Sequence, residues 1–429
     1  MKMKLIAVVV ATALTTPMAF AQSNVTVSGR LNFAVENIKA TGATLGSAND
    51  FTSRARMVDN SSELRFSGRE DLGGGLNAWF TIGAGVDVSG ASATDPFTRG
   101  LLASRNSGLG LDNKSWGSIM LGKWDVHYEA GAVPPVGNVD FGYIDQGLAT
   151  FANLGLGAGQ QGVGLAGGRL SNTVRYVSPN WSGFSAIVAY ARNVEETANE
   201  NGVAAAGGNR KPYQFQFAPQ YMNGPVTAFY SYYIDKESNA GATAANVGAL
   251  LGSVVAGTPT ISVTGIASGL RDIRGDRLGA SWKFDNGLKI GLLYDRTQSK
   301  IYNALLGTGG AFNADLTRIA WAVPVSYVTG PNKITATYGR ANDLTGSRSG
   351  LATGYNSSNT GASYLSLGYR YAFSKRTSAF VDYAKMSNQS RAGYDFFAYA
   401  GISATGSALP AASIGADPQT VQAGLYHTF

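Results

Sequence analysis

Long segments in which apolar and polar residues alternate with a period of two constrain this chain more than any other feature. Val25, Val27, Leu31, Phe33 and Val35 share one face of an extended segment, and Thr26, Ser28, Arg30, Asn32 and Glu36 share the other. Leu288, Ile290, Leu292 and Tyr294 oppose Lys289, Gly291 and Asp295 in the same way. Near the end, Leu365, Leu367, Tyr369, Tyr371 and Phe373 oppose Tyr364, Ser366 and Arg370. A soluble sandwich would alternate too, but over strands of ~5–6 residues. Here many segments run to about 10–13 residues, the length of a tilted membrane strand. Their connections alternate between short and long, and aromatics gather near strand ends as interfacial girdles do.

Sixteen strands can be laid out, over 24–36, 60–70, 76–88, 100–111, 117–124, 168–178, 184–193, 211–222, 225–236, 271–284, 288–300, 314–328, 333–343, 361–373, 377–388 and 417–429. Short turns such as Asp71–Gly75, Asn223-Gly224, Asp285-Asn286-Gly287 and Ser374-Lys375-Arg376 join them in pairs. Long Gly-, Ala-, Ser- and Asn-rich loops, such as 237–270 and 389–416, separate the pairs. The expected fold class is all-β: a transmembrane antiparallel β-barrel of 16 strands. Backbone groups in lipid must pair within the protein, which a closed barrel achieves without an edge strand. A barrel of 16–18 strands is too wide for side chains to fill and keeps an aqueous channel.

The N-terminus agrees with export. Lys2 and Lys4 precede an apolar run from Leu5 to Leu14, and Ala19-Phe20-Ala21 offers a small-x-small cleavage site. That order is a signal peptide over residues 1–21, leaving one domain over 22–429 that begins at Gln22. Its removal takes away two lysines and no acid, lowering the formal net charge from +7 to +5. The basic residues are spread along the chain rather than clustered on a stripe, so nucleic acid is not an expected partner. No segment of the mature chain offers ~18 consecutive apolar residues, so no transmembrane helix is expected. Without cysteine, disulfides contribute nothing to stability.

The stretch of about 125–168 is the longest connection. It carries Pro134-Pro135, Phe141-Gly142-Tyr143, Leu148, Phe151 and Leu154 before a glycine-rich tail. Aromatics in so long a loop suggest packing, so it is read as folded into the lumen, with Asp140 and Asp145 facing the channel and Glu129 a weaker candidate. An external or disordered loop is the alternative. Catalytic chemistry is sparse. His127 and His427 are the two histidines, and no His/Cys/acid cluster has metal-ligand spacing, so neither metal nor cofactor is expected. Gly157, Gly159 and Gly162 fit G-x-G-x-x-G without a following helix, an accidental match. Asp272 and Asp276 read as loop or rim charges rather than calcium ligands.

Several motifs resemble one family. Val25-Thr26-Val27-Ser28-Gly29-Arg30, Gly68-Arg69-Glu70-Asp71-Leu72-Gly73-Gly74-Gly75-Leu76 and Trp116-Gly117-Ser118-Ile119-Met120-Leu121-Gly122-Lys123 resemble segments of the general diffusion porins of Gram-negative bacteria, especially the β-proteobacterial branch. So do Arg169 through Tyr176 with Ser178-Pro179, and the closing Gly424-Leu425-Tyr426-His427-Thr428-Phe429. The resemblance covers nearly all of the mature chain. It implies an outer-membrane homotrimer amid lipid, passing small hydrophilic solutes and ions, whose third external loop folds inward. It also implies a basic wall opposite acidic loop residues. Lys123 stands where the family usually has arginine and Arg169 matches directly. Glu63 takes the place of another arginine, with Arg65 two residues on. Arg30 and Arg175 complete the expected basic lining, giving a modest anion preference. Phe429, the terminal aromatic, is implied in barrel closure and assembly. Two other readings are weighed. A substrate-selective channel would want an aromatic ladder, whereas inward Trp79, Phe229, Tyr233, Tyr364 and Phe380 are scattered. An outer-membrane barrel enzyme would want a histidine placed beside a serine or acid.

Overall fold

A computed structural model describes residues 24–60, 62–86, 102–127, 168–192, 212–239, 266–306, 311–349, 357–396, 409 and 413–429. The first half holds β1 (Asn24–Thr41), β2 (Phe51–Asp59), β3 (Glu63–Gly73), β4 (Leu76–Gly85), β5 (Ser107–Asn113), β6 (Gly117–Val126), β7 (Gly168–Val177), β8 (Phe184–Ala191) and β9 (Tyr213–Asn223). The second holds β10 (Val226–Asn239), β11 (Ile266–Lys283), β12 (Leu288–Leu306), β13 (Ala311–Thr329), β14 (Asn332–Ala341), β15 (Thr345–Ser349), β16 (Ala362–Ala372), β17 (Thr377–Asn388) and β18 (Asp417–Thr428).

These eighteen segments make a sixteen-stranded barrel because two strands are interrupted. β1 pairs with β3 over Asn24–Arg30 and with β2 over Phe33–Ala40, so β2 and β3 are two halves of one strand. β13 pairs likewise with β14 and then β15. The first interruption is held from the neighbouring strand: Asn32 Nδ2 donates to Asn60 O (3.0 Å), and Asn32 N donates to Ser62 Oγ (3.0 Å). At the second, the Asp343 carboxylate accepts from the backbone N–H of Asn359, Thr360 and Gly361 (2.8–3.0 Å). The sequence reading placed strands over 60–70 and 333–343 and missed Phe51–Asp59 and Thr345–Ser349. Both missed segments lie beyond the apolar band, where alternation is not enforced.

All neighbours are antiparallel, and the ring closes through β1 and β18, in register from Arg30↔Thr428 to Thr41↔Asp417. Parity then sorts side chains everywhere. Outward positions such as Val25, Leu121, Val174, Leu292, Leu367 and Leu425 are exposed and apolar. Inward positions such as Asn32, Gln216, Thr297, Thr337, Asp382 and Gln422 are buried and polar. This reverses the arrangement of a water-soluble protein and is stable where lipid surrounds the wall and water fills the centre. The wall is uneven in height: β5 has 7 residues and β8 has 8, against 19 in each of β12 and β13.

The last rung of closure is made by Gly29 and Phe429. Gly29 N donates to Phe429 O and Phe429 N donates to Gly29 O, both at 3.1 Å. The Phe429 ring lies over Gly29, where a β-carbon would stand 2.6 Å from ring Cζ and 2.4 Å from Glu63 O. Overpacking of this kind costs ~1–3 kcal/mol, and unpaired backbone groups in lipid cost several kcal/mol each. Gly29→Leu and deletion of Phe429 should therefore each lower the yield of folded barrel, read as loss of the heat-modifiable band on gels. Wild-type yields from both would show that this rung is dispensable.

Candidate functional site: the channel interior

Register defines one inward wall across β1 and β3–β7. Arg30, Glu63 and Gly85 share a rung, as do Ser28, Arg65 and Gly83, and as do Trp79, Gly110, Met120 and Arg175. Arg65 binds its neighbour Glu63, with Nη2 at 2.5 Å and Nε at 3.0 Å from Oε1. Glu63, in the place of an arginine, and Arg65 thus form a side-by-side ion pair. Arg105 joins this group. A β-carbon on Gly83 would stand 2.9 Å from Arg105 Cβ and 3.2 Å from Glu63 Oε1, so glycine makes the room both residues occupy. The Arg175 guanidinium lies 5.5 Å over the Trp124 ring, which meets Trp79 edge-on at 6.1 Å. That stack desolvates one face of a cation without neutralising it.

Arg169 is held more tightly. It lies 3.1 Å from the Asp125 carboxylate and donates to Asn106 Oδ1 (3.3 Å). Lys123 pairs with Ser107 beside a bulge between Gly122 and Trp124 and is half-buried. Parity gives the inward positions to Met120 and, across on β7, Arg175. Asp140 and Asp145 lie outside the described residues, as does the expected signal peptide.

The far wall, on β10–β17, carries a second set of charges. Arg277 Nε donates to Asp295 Oδ2 (3.0 Å), which also gains Thr297 Oγ1 (2.9 Å to Oδ1), and the Arg277 and Asp295 side chains are fully buried. Residues 389–396 fold back against this wall. Tyr394 and Phe396 are fully buried. The guanidinium of inward Arg318 lies 5.8 Å from the Tyr394 ring centroid, and inward Tyr364 meets Phe396 edge-on at 6.4 Å. Asn388 pins the turn, donating to Tyr394 O (2.8 Å) and Ala416 O (2.7 Å) and accepting from Tyr394 N (3.0 Å). Burial raises the Tyr394 phenol above its ordinary pKa, against the opposing pull of Arg318. This part of the last long loop therefore fills one side of the interior.

A link crosses between the walls. β6 ends with Val126 packed against Ala189, Tyr233 and Ile273, with Leu170 beside them. His127 follows at φ 51°, Nδ1 2.9 Å from Ser231 Oγ and its ring stacked on Tyr233 at 5.4 Å. Ser231 and Tyr233 face inward on β10, on rungs with Arg277 and Gly275 of β11. The chain leaves its own wall at this point. His427, by contrast, lies on the exposed side beside Thr377 Oγ1 (2.9 Å). Sequence reading missed Arg277, Arg318, Tyr394 and Arg105. The first two carry a parity signal, since they alternate with the outward residues Leu278 and Ile319.

Comparisons with known proteins agree with this arrangement. A family model described as Gram-negative porin matches residues 7–391. An outer membrane porin protein of Bordetella pertussis is 28% identical over 345 residues, covering 76% of this chain and 78% of that one. An anion-selective porin from Comamonas acidovorans has the same fold, with TM-score 0.64 at 20% identity, covering 95% of this chain and all of that one. The outer membrane protein OmpT of Vibrio cholerae, folded in vitro, matches at TM-score 0.59 and 12% identity, over 96% of this chain and all of that one.

Truncating the aromatic anchors tests whether the packed loop borders the ion path. Replacing a buried aromatic by alanine costs roughly 3–5 kcal/mol, enough to free the loop without opening the hydrogen-bonded wall. Tyr394→Ala with Phe396→Ala should give a heat-modifiable barrel whose single-channel conductance is higher and noisier. Unchanged conductance would place the pair off the path.

Proposed function

The chain belongs to the Gram-negative porin family and forms a passive diffusion channel in the outer membrane, and from that premise we propose that its path is off-centre, narrowed from within and modestly anion-preferring. The single observation that carries this reading is the departure of Val126 and His127 from the wall of β6 to that of β10, four strands away in the ring. A segment that begins by crossing the interior is well placed to continue there. In this reading the 125–168 connection is the constriction, with Asp140 and Asp145 opposite the basic wall.

The far side is occupied by residues 389–396, which leaves solutes the side lined by Arg30, Arg65, Arg105 and Arg175. Glu63 offsets part of this charge through Arg65, and Asp125 offsets Arg169. The remaining excess is small, so the preference is modest. Low-dielectric walls focus it, and salt screens it over ~10 Å at 0.1 M. Three copies associate through the low wall. β5, at 7 residues, and β8, at 8, span roughly 20 Å when tilted, less than the ~25 Å apolar band, so a second copy covers what lipid would otherwise meet. The signal peptide is cleaved after Ala21. The reading involves no enzymatic step: the contact of His127 with Ser231 uses Nδ1, and Ser231 is fully buried and shared with Gln216 (3.0 Å).

The zero-current potential across a tenfold KCl gradient tests the proposal. The wild type should be anion-preferring near 0.1 M and close to unselective at ~1 M. Arg65→Gln combined with Arg105→Gln and Arg175→Gln should move the low-salt potential toward zero. A cation-selective wild type, or an unmoved potential in the triple variant, would relocate the charge that governs conduction.

A further inference from the structure

Arg65 and Arg169 of the open wall are held by carboxylates, whereas Arg105 and Arg175 are not. Arg105 is 8% exposed, yet its Nε and Nη2 are buried without a hydrogen-bond partner, and Arg175 Nε is in the same condition. Among the described residues no ion pair reaches either guanidinium. A third group, the hydroxyl of buried Thr81, also lacks a partner. Thr81 shares an inward rung with Gly108 and Gly122, between Trp79 and Gly83 on β4. Buried polar groups are ordinarily hydrogen-bonded, and a buried charge without a partner is costly. All three of these groups can donate, so what satisfies them is an acceptor. A planar guanidinium fork matches the two oxygens of a carboxylate.

Flat apolar surface adjoins these donors. The Trp79 ring sits on Gly110, where a β-carbon would stand 2.5 Å from ring Cε2. Met120 sits on Gly108, where a β-carbon would stand 2.7 Å from Sδ. Glycine at both positions lets the larger side chains lie against the sheet. Trp79 Nε1 donates to Ser118 Oγ (3.2 Å), which fixes the indole. Met120 is fully buried, while Trp79 and Trp124 are half-buried, so the two indoles are the accessible part of this surface. They cross at 76°, and Arg175 lies against Trp124. Crossed indoles offer both a face and an edge, and each favours an aromatic ring over an aliphatic one of equal size.

The donors are stacked in height. Arg105 N donates to Gly83 O (3.0 Å), and Gly83 stands four residues above Trp79, whose rung holds Arg175. At ~3.3 Å per residue and a tilt of ~40°, the two levels are about 10 Å apart, with Thr81 midway. A solute entering from outside would meet Arg105 first and the indoles with Arg175 next.

We infer that this wall holds a weak binding site for solutes that carry a carboxylate on an aromatic ring, with Arg105 as the first contact, Arg175 as the resting cation and the indoles of Trp79 and Trp124 receiving the ring. The inference rests on the reading above that the path runs along the basic wall, and it goes beyond a general anion preference because the ring is selected as well as the charge. Weak binding is what a conducting path requires, since the solute must also leave.

The test measures block of the small-ion current of the purified full-length channel in a planar bilayer at ~0.1 M KCl. The probes are benzoate, cyclohexanecarboxylate, acetate and benzamide. Benzoate should block at a concentration about threefold or more below that of cyclohexanecarboxylate, the factor an aromatic contact contributes. Acetate, with charge alone, and benzamide, with the ring alone, should block less than benzoate. Trp79→Leu with Trp124→Leu should bring benzoate to the level of cyclohexanecarboxylate. Arg105→Gln with Arg175→Gln should weaken both carboxylates by about threefold or more. Trp116→Leu, in the turn between β5 and β6, should discriminate as wild type does. If the double variants do not fold, the four probes on the wild type still decide the matter. Equal block by benzoate and cyclohexanecarboxylate, block by benzamide equal to that by benzoate, or undiminished discrimination in the double tryptophan variant would each overturn the assignment. An anion-preferring wild type that does not discriminate the ring would overturn this inference alone, whereas a cation-selective wild type would overturn the path reading with it.

Discussion

Everything in this molecule follows from the requirement that backbone N–H and C=O groups find partners where there is no water to offer them. A sheet meets that requirement when its first and last strands pair, as Arg30 and Thr428 do here. Closure fixes parity around the whole ring, so one choice of face on β1 propagates through every rung. The apolar exterior and the polar interior are two readings of the same register. Sixteen strands then set a circumference that side chains alone do not fill. The space left over is where loops can be brought inward, and the packing of Tyr394 and Phe396 against Arg318 and Tyr364 shows one loop so used.

The interior is polar in a particular manner. Its cations are mostly held rather than loose: Arg65 by Glu63, Arg169 by Asp125, Arg277 by Asp295, and Arg175 by the face of Trp124. A guanidinium flanked by a carboxylate or a ring loses rotamer freedom but keeps its charge, so the field it makes is fixed in direction. Held cations attract ions without binding them for long, which suits a passage that solutes must also leave.

The barrel was legible in the sequence because lipid enforces a period of two wherever a strand crosses it. Leu365 through Phe373 and Leu288 through Tyr294 fell on the faces their alternation assigned. Phe51–Asp59 was not legible, since above the lipid Thr52, Ser53, Arg54 and Arg56 need no alternation. The interior was legible only in part. Arg277 and Arg318 carry a parity signal, but Arg105 precedes the regular part of β5 and has none. Lys123 carries no parity signal, because a bulge interrupts β6 beside it. The contact of Tyr394 with Arg318 joins residues far apart in sequence through a turn of glycine, alanine and aspartate, and no periodicity announces it.

The pairing of β1 with β18 also has a kinetic side. It joins the two most widely separated segments of the sheet, Arg30 with Thr428, so the ring cannot be completed until almost the whole chain is available. Contacts of such separation are the slowest to form. Until then the sheet has two open edges, at β1 and at whichever strand was last added, and open edges recruit other chains. A truncated chain is therefore never a smaller version of the finished one. It is an unsealed sheet, distinguishable from the complete product by its edges alone, and those edges are what a protease or a chaperone would meet.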